Sequence, residues 1–341
     1  MNILATGGAG FIGSHTVVAL AEAGFTPIIL DDFSNSEAGV IDGLESILGF
    51  RPVTYTENCH NPETLRRIFR DEKIQGIIHF AAFKAVGESM QKPLEYYDNN
   101  VGALIVLLKT MQECHIPHLI FSSSCTVYGE PDALPVTEKT PVKPAFSVYG
   151  NTKQIGEEIL HDTVSAGIPL KIIALRYFNP IGAHPSAAIG ELPRGVPNNL
   201  VPFITQTAAG LRTTLTVFGD DYPTPDGTCI RDYIHVLDLA EAHVAALSHL
   251  MKTTASSYYD IFNIGTGQGV SVMELIKSFE RVTGVSLNYS IGPRRSGDVT
   301  AVYAGVEKSE KVLGWKATRS MDQALVDAWR WQVKVDEVDK G

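Results

Sequence analysis

Gly7-Gly8-Ala9-Gly10-Phe11-Ile12-Gly13 is the stretch on which the fold turns. It follows the short apolar run Ile3–Ala5 and opens a helical segment, and it satisfies both G-x-G-x-x-G (Gly8, Gly10, Gly13) and G-x-x-G-x-x-G (Gly7, Gly10, Gly13). Amides at such a helix start can hold a pyrophosphate, and the glycines let it approach the backbone closely. A glycine-rich turn can also do no more than turn the chain, so the flanking sequence has to carry the reading. Asp31 and Asp32 close the second apolar run about twenty residues past the loop, where a carboxylate accepts bonds from an adenosine ribose and repels a 2′-phosphate. That pattern favours NAD over NADP. A pair of aspartates that merely caps the next helix is the competing reading.

Working outward, short apolar runs alternate with helix-length segments at Ile3–Ala5, Pro27–Leu30, Val53–Tyr55, Ile74–Ala82, His118–Ser122 and Leu170–Leu175. Between them Pro62–Glu72 and Pro93–His115 read as helices opened by proline, and Ser147–Ala166 as a long amphipathic one. Alternation of this kind predicts an α/β fold with a doubly wound parallel sheet of Rossmann type, six of its strands lying before residue 180. After Asn179 the texture changes to glycine and proline punctuation (Pro180, Gly182, Pro185, Gly190, Pro193, Gly195, Pro197), which marks passage into a smaller α/β lobe. The expected division is an NAD-binding lobe over 1–179 and a second lobe over 180–341. A helix over Val236–Met251 and a strand over Tyr259–Ile264 are expected to return to the first lobe's sheet, so that 236–265 rejoins it.

The 341 residues are 44% hydrophobic and 19% charged, an ordinary balance for a globular enzyme and enough for a sizeable core. The longest strongly apolar run, Val101–Leu108, is far short of the roughly twenty residues of a membrane span, and the N-terminus lacks a basic leader, so a cytoplasmic setting is expected. Cys59, Cys114, Cys125 and Cys229 have no Cys-x-x-Cys spacing and predict neither a metal site nor a disulfide framework. A net charge of -10 disfavours nucleic acid and anionic membranes as partners. Any phosphate ligand must therefore meet locally placed cations.

Tyr149-Gly150-Asn151-Thr152-Lys153 sets a phenol and an ammonium four residues apart, on one face of the long helix. A free phenol, with a pKa near 10, is too weakly acidic to act as a base at neutral pH, and a nearby cation is expected to lower it. Ser122-Ser123-Ser124 falls at the carboxyl end of the fifth strand, where doubly wound folds place ligands; Ser124 is best placed to bridge Tyr149 and a substrate hydroxyl. Separately, each is a common surface or strand-end feature. In this order, after a dinucleotide fingerprint, they form a candidate catalytic set.

These motifs resemble the extended short-chain dehydrogenase/reductase family, and the likeness runs end to end. It is most specific at Thr6–Gly13, His79–Ser89, Tyr177–Pro180, Pro197–Leu200, Gly227–Val236 and Pro293-Arg294-Arg295-Ser296-Gly297-Asp298. The resemblance implies that Gly7, Gly10, Phe11, Ile12, Gly13, Asp31 and Asp32 are joined at the NAD site by Asn35, Ser36, Asn58, Cys59, Phe80, Ala81, Ala82, Lys84, Asn99, Ser122, Tyr149, Lys153 and Tyr177. It implies a UDP-hexose held by Lys84, Ser124, Tyr149, Asn179, Asn199, Leu200, Leu215, Phe218, Arg231, Tyr233, Arg295, Asp298 and Val302. Arginines suit this role because a guanidinium contacts phosphate oxygens bidentately.

The activity implied is inversion of the C4 hydroxyl, interconverting UDP-glucose and UDP-galactose through a transient 4-keto sugar and hydride return. A homodimer packed through the helices of Asn99–Met111 and Tyr149 is implied as well. Asn58 departs from the family's usual aspartate, and Val302 stands where members restricted to plain hexoses commonly carry tyrosine. A valine there predicts room for an N-acetylhexosamine. Other functions on the same frame are a nucleotide-sugar dehydratase, a net reductase or a non-enzymatic NAD-binding regulator. A dehydratase needs an acid and a base where this chain has Cys125-Thr126, and a regulator has no need of the Ser/Tyr/Lys set.

Overall fold

The computed structural model describes residues 1–295 and 297–340; Ser296 of the Pro293–Asp298 motif and Gly341 lie outside the described residues. The first half alternates as expected. Its elements are β1 (Asn2–Thr6), α1 (Phe11–Glu22), β2 (Thr26–Leu30), α2 (Gly39–Leu48), β3 (Val53–Tyr55), α3 (Pro62–Asp71) and β4 (Gly76–His79). Then come α4 (Val86–Gln91), α5 (Pro93–Tyr97), α6 (Ala103–Glu113), β5 (His118–Ser124), α7 (Val148–Ser165) and β6 (Lys171–Tyr177). The remainder runs β7 (Asn179–Ile181), α8 (Leu200–Ala208), β8 (Leu215–Phe218), β9 (Ile230–Arg231), β10 (Tyr233–His235), α9 (Val236–Lys252), β11 (Tyr258–Ile264) and β12 (Val270–Ser271). It closes with α10 (Val272–Thr283), β13 (Tyr289–Gly292), β14 (Ala301–Val302) and α11 (Met321–Lys340).

The central sheet has seven strands in the order β11-β6-β5-β4-β1-β2-β3, every neighbouring pair parallel. Its strands are apolar on both faces because helices cover both. Leu4, Ile28 and Ile77 meet Leu65, Leu104, Leu107 and Leu160 on one side, while Ile3, Ile78 and Ile120 meet Leu20, Leu239 and Leu247 on the other. Burying each such side chain contributes roughly 1.5–3 kcal/mol. Helix α9 and strand β11 thus belong with the sheet: α9 packs beside α1, and β11 pairs along β6. Residues between and after these excursions form a separate core of Leu215, Val217, Leu275, Phe279 and Leu325 under α8, α10 and α11.

Strand order reverses between β1 and β4, and such a switch point opens a crevice at the carboxyl ends of the strands. Gly7, at φ 70°, sits in it so tightly that a Cβ would lie 2.7 Å from the Ala81 nitrogen. A Cβ at Gly13 would lie 2.3 Å from the Gly7 carbonyl oxygen. Only glycine therefore allows α1 to start this close to β1. Two sequence boundaries change. Ile74–Ala82 is a strand only over Gly76–His79, because the amides of Phe80 and Ala81 both turn to the Thr6 carbonyl, at 2.9 and 3.0 Å. Pro93–His115 is not one α-helix: a wide π turn over Asp98–Gly102 separates α5 from α6. Such turns insert one residue and re-aim side chains. Here the Asp98 carbonyl lies 2.8 Å from His60 Nε2, and Asn99 and Asn100 are brought together. Among the described residues no helix is long and apolar enough to cross a membrane.

Candidate active site

A single cleft of about 1450 Å³ opens at the switch point and runs between the sheet and the second core. Single small-molecule pockets usually measure about 300–1,000 Å³, so this one has the capacity for two ligands. Gly7, Gly10, Phe11, Ile12 and Gly13 line it, and Gly10 caps α1 with no side-chain bond. The first amides of a helix have no intrahelical partner, so those of α1 are available to an anion. The residues present thus fit a dinucleotide's pyrophosphate.

Asp31 is buried at the end of β2. Its carboxylate accepts from the amides of Ala9 (3.0 Å) and Phe33 (2.9 Å) and from Ser36 Oγ (3.0 Å), while burial raises its pKa. Asp32 is exposed and accepts from the Ser34 amide and Asn58 Nδ2. The first carboxylate shapes the loop and the second faces outward. Asn35, Ser36, Asn58 and Cys59 also line the cleft, with burial pushing the Cys59 thiol to about 12. The Asn58 carbonyl oxygen accepts from the His60 amide at 2.8 Å and lies 3.3 Å from His60 Nδ1.

Tyr149 and Lys153 lie one turn apart on α7, 8% and 4% exposed, and Ser124 ends β5 at 6%. Two ties set their position. Glu157, one turn further along α7, accepts from Ser123 Oγ (2.5 Å) and from Arg176 Nε and Nη2 (2.9 and 2.5 Å), which fixes the helix against β5 and β6. Asn100 bonds Thr152 Oγ1 (3.0 Å) and both backbone groups of Phe83, which joins α7 to the loop carrying Phe80–Lys84. Neither Glu157 nor Asn100 was singled out from sequence.

Lys153 Nζ donates to the Ser122 carbonyl at 2.8 Å and stands 5.8 Å from the Tyr149 ring centroid. Burial pulls the ammonium down to about 8. The expectation that Lys153 lowers the phenol's pKa is corrected here: burial pushes Tyr149 above its ordinary value, with a smaller opposing effect from Ser124. The loss of water around the ring outweighs a cation that is itself desolvated. Ser122, near the end of β5, is 1% exposed, and its carbonyl accepts from Lys153 Nζ.

Phe80, Ala81, Ala82, Lys84, Asn99 and Tyr177 line the same cleft, as do Asn179, Asn199, Leu200, Leu215, Phe218, Arg231, Tyr233, Arg295, Asp298 and Val302. Arg231 Nη2 and Arg295 Nη2 converge on Asp298 Oδ1 at 3.6 and 2.7 Å, and Arg295 also lies 5.7 Å over the Phe218 ring. Two guanidiniums beside an aromatic face suit a nucleoside diphosphate. Glu191, not noticed in the sequence, accepts from Lys84 Nζ (3.2 Å) and Asn199 Nδ2 (2.6 Å). Val302 is 4% exposed, pairs in register with Arg231 and packs with Val127, Tyr128 and Phe178.

A glycine cradle at the switch point and a Ser-Tyr-Lys set beside a nucleotide-sized anion site define an extended short-chain dehydrogenase/reductase. The profile of a family described as GDP-mannose 4,6 dehydratase matches residues 4–328. The UDP-glucose 4-epimerase of Yersinia pestis is 47% identical over 334 residues, 98% of both chains. Among solved structures, UDP-glucose 4-epimerase from Stenotrophomonas maltophila, with bound NAD and formylated UDP-arabinopyranose, superposes with a TM-score of 0.96 at 45% identity over 99% of each chain. That from Bifidobacterium longum, in complex with NAD+ and UDP, gives 0.94 at 44% over 98% of each. The chain belongs to the UDP-glucose 4-epimerase family.

Proposed function

We propose that this chain is an NAD-dependent isomerase that inverts C4 of a UDP-hexose, interconverting UDP-glucose and UDP-galactose. The observation that carries the reading is the convergence of Ser124, Tyr149 and Lys153, all nearly buried, on a cleft that also holds the glycine cradle and the Arg231/Arg295 pair. Residues 1–179 with 236–265 form the cofactor lobe and the rest forms the UDP-sugar lobe. The NAD site comprises the cleft residues named above together with Ser122. Oxidised NAD, when bound, supplies the acceptor that takes the C4 hydride and gives it back. Lys153, the cation beside the ring, holds the Tyr149 phenolate against burial. Tyr149 takes the C4 hydroxyl proton through Ser124 and returns it after the sugar has turned over. Arg231, Arg295 and Asn179 hold only the UDP portion, so the wide cleft leaves the 4-keto ring free to present its other face.

Cys125-Thr126 offers no carboxyl group for the C5 proton removal that a dehydratase needs, which separates this chain from the activity named by the family profile. Purified protein should convert UDP-galactose without added NAD, and Tyr149→Phe should keep NAD and UDP while losing ~100- to 10,000-fold in rate. Near-normal turnover of that variant overturns the role, and turnover that consumes added NAD points to a dehydrogenase.

A homodimer in the cytoplasm belongs to the same proposal. Leu104, Leu107 and Leu108 of α6 are buried in their own core, but Leu94 (81% exposed) and Ile105 (37%) with half-buried Val101 leave apolar surface for a second copy. Light scattering that gives a 37.0 kDa particle at micromolar concentration refutes it.

A further inference from the structure

The chain between the cleft's two halves carries an arginine that none of the chemistry above uses. Arg194 lies on the segment Ala188–Pro197, which leads directly into Asn199 and Leu200 of the sugar site and lines the cleft along much of its length. Its guanidinium reaches back across the cleft to the loop after β2. Nε donates to Glu37 Oε1 at 2.8 Å, Nη1 to the Ser34 carbonyl at 2.8 Å, and Nη2 to the Ser36 carbonyl at 2.7 Å. From the other side Arg212 Nη2 donates to the Gly195 carbonyl at 3.2 Å, so the segment is held to both lobes at adjacent residues.

The loop it grips is the one offered to the adenosine ribose, and it is under strain. Phe33 has φ 55°, a left-handed conformation that costs a side-chain-bearing residue free energy and persists only when neighbours impose it. Below, Asp31 fixes the loop through Phe33 and Ser36; above, Arg194 fixes Ser34, Ser36 and Glu37. An exposed ion pair with Glu37 alone would be worth little, but the two carbonyl contacts add charge-assisted bonds in a planar geometry.

We propose that Arg194 is a latch between the lobes that slows release of the dinucleotide and makes that release respond to occupancy of the nucleotide-sugar site. This rests on the NAD reading of the cleft. In a reaction without net redox change the cofactor is regenerated at every turnover and has no need to leave, so a slow exit costs nothing catalytically. UDP ordering Asn199 and Leu200 stiffens the segment five residues after Arg194 and so tightens the grip on the ribose loop. Arg194 acts through that loop and is a positioning residue.

The test is the rate at which NAD leaves the holoenzyme, followed by assay of the nucleotide that passes a filter, for native protein, Arg194→Ala and Arg194→Lys, each with and without saturating UDP. Loss of contacts to a charged donor predicts release about tenfold faster from Arg194→Ala. Arg194→Lys should fall between, and UDP should slow release from the native protein but much less from the alanine variant. Turnover at saturating NAD and the urea midpoint of the NAD-free protein should stay at native values, which a general loss of structure would not allow. Release from Arg194→Ala within about twofold of native, or an equal effect of UDP on both, overturns the latch. Should that variant not fold, Glu37→Ala removes one contact from the far side and is expected to quicken release about two- to threefold. Native protein that neither carries nor takes up NAD refutes the cofactor reading instead.

Discussion

Replacing Lys153 by methionine should abolish turnover and yet make the NAD-free protein more stable at neutral pH. Burial pulls the ammonium from 10.5 to about 8. At 1.36 kcal/mol per pH unit, holding it charged in the folded state costs roughly 3 kcal/mol. Methionine fills a similar volume without a charge, but it leaves the Ser122 carbonyl without its donor at 2.8 Å, a loss of about 1 kcal/mol. The net expectation is a gain of ~2 kcal/mol. Spread over the unfolding entropy of 341 residues, at about 2 cal/mol/K each, that is a rise in Tm of about 3 °C. The sign fixes the pH window. A lysine with a depressed folded pKa contributes least below about 8, where both folded and unfolded states are protonated. It regains that stability as pH rises from 8 toward the unfolded value of 10.5. Urea unfolding of native and Lys153→Met protein, stripped of NAD, should therefore show a gap that is full at pH 7 and closes by pH 10.5. A variant less stable than native at pH 7, or a gap constant across that range, refutes the account of Lys153 as a buried cation held at a cost to stability.

Acid should unfold the protein well before its carboxylates titrate. Burial lowers His15 and His79 to about 3 and His243 to about 4, so each is neutral when folded; unfolded histidines take protons below 6.5, and the urea midpoint should fall as pH drops from 6.5 toward 4. A midpoint that is flat over that range contradicts the burial argument. For substrate range, Val302 has about five fewer heavy atoms than tyrosine, room for the about three that an acetamido group adds in a closely packed site. Native protein should epimerise UDP-GalNAc, and Val302→Tyr should lose this while keeping UDP-galactose; inactivity of native protein on the acetylated sugar refutes it.

Much of the fold was legible because it rests on short-range patterns. Apolar runs, proline-opened helices and the glycine turn each occupy a few consecutive residues, and six strands of the sheet follow from them. The strands of the second lobe were not legible. β7, β9, β10, β12 and β14 are two or three residues long, too short for any period to register, and their pairing is set by contacts between distant segments. The π turn at Asp98–Gly102 escaped for a related reason: inserting one residue into a helix leaves the apolar pattern on either side intact, and its contact with His60 joins residues far apart in sequence.

The site divides along the same line. Spacing alone brings Tyr149 and Lys153 to one face, since four residues make about one helical turn. Whether that ammonium makes the phenol a better base depends on depth, and depth is a property of the whole packed structure. Both groups lose water on burial, and this loss, invisible in the spacing, sets the direction at Tyr149. Asn100, Glu191 and Arg194 were missed for a similar reason. Each acts on a partner distant in sequence, Thr152, Lys84 and Glu37 respectively. Hydrogen bonds across such separations leave no local pattern, so such residues become visible only once distant segments are folded together.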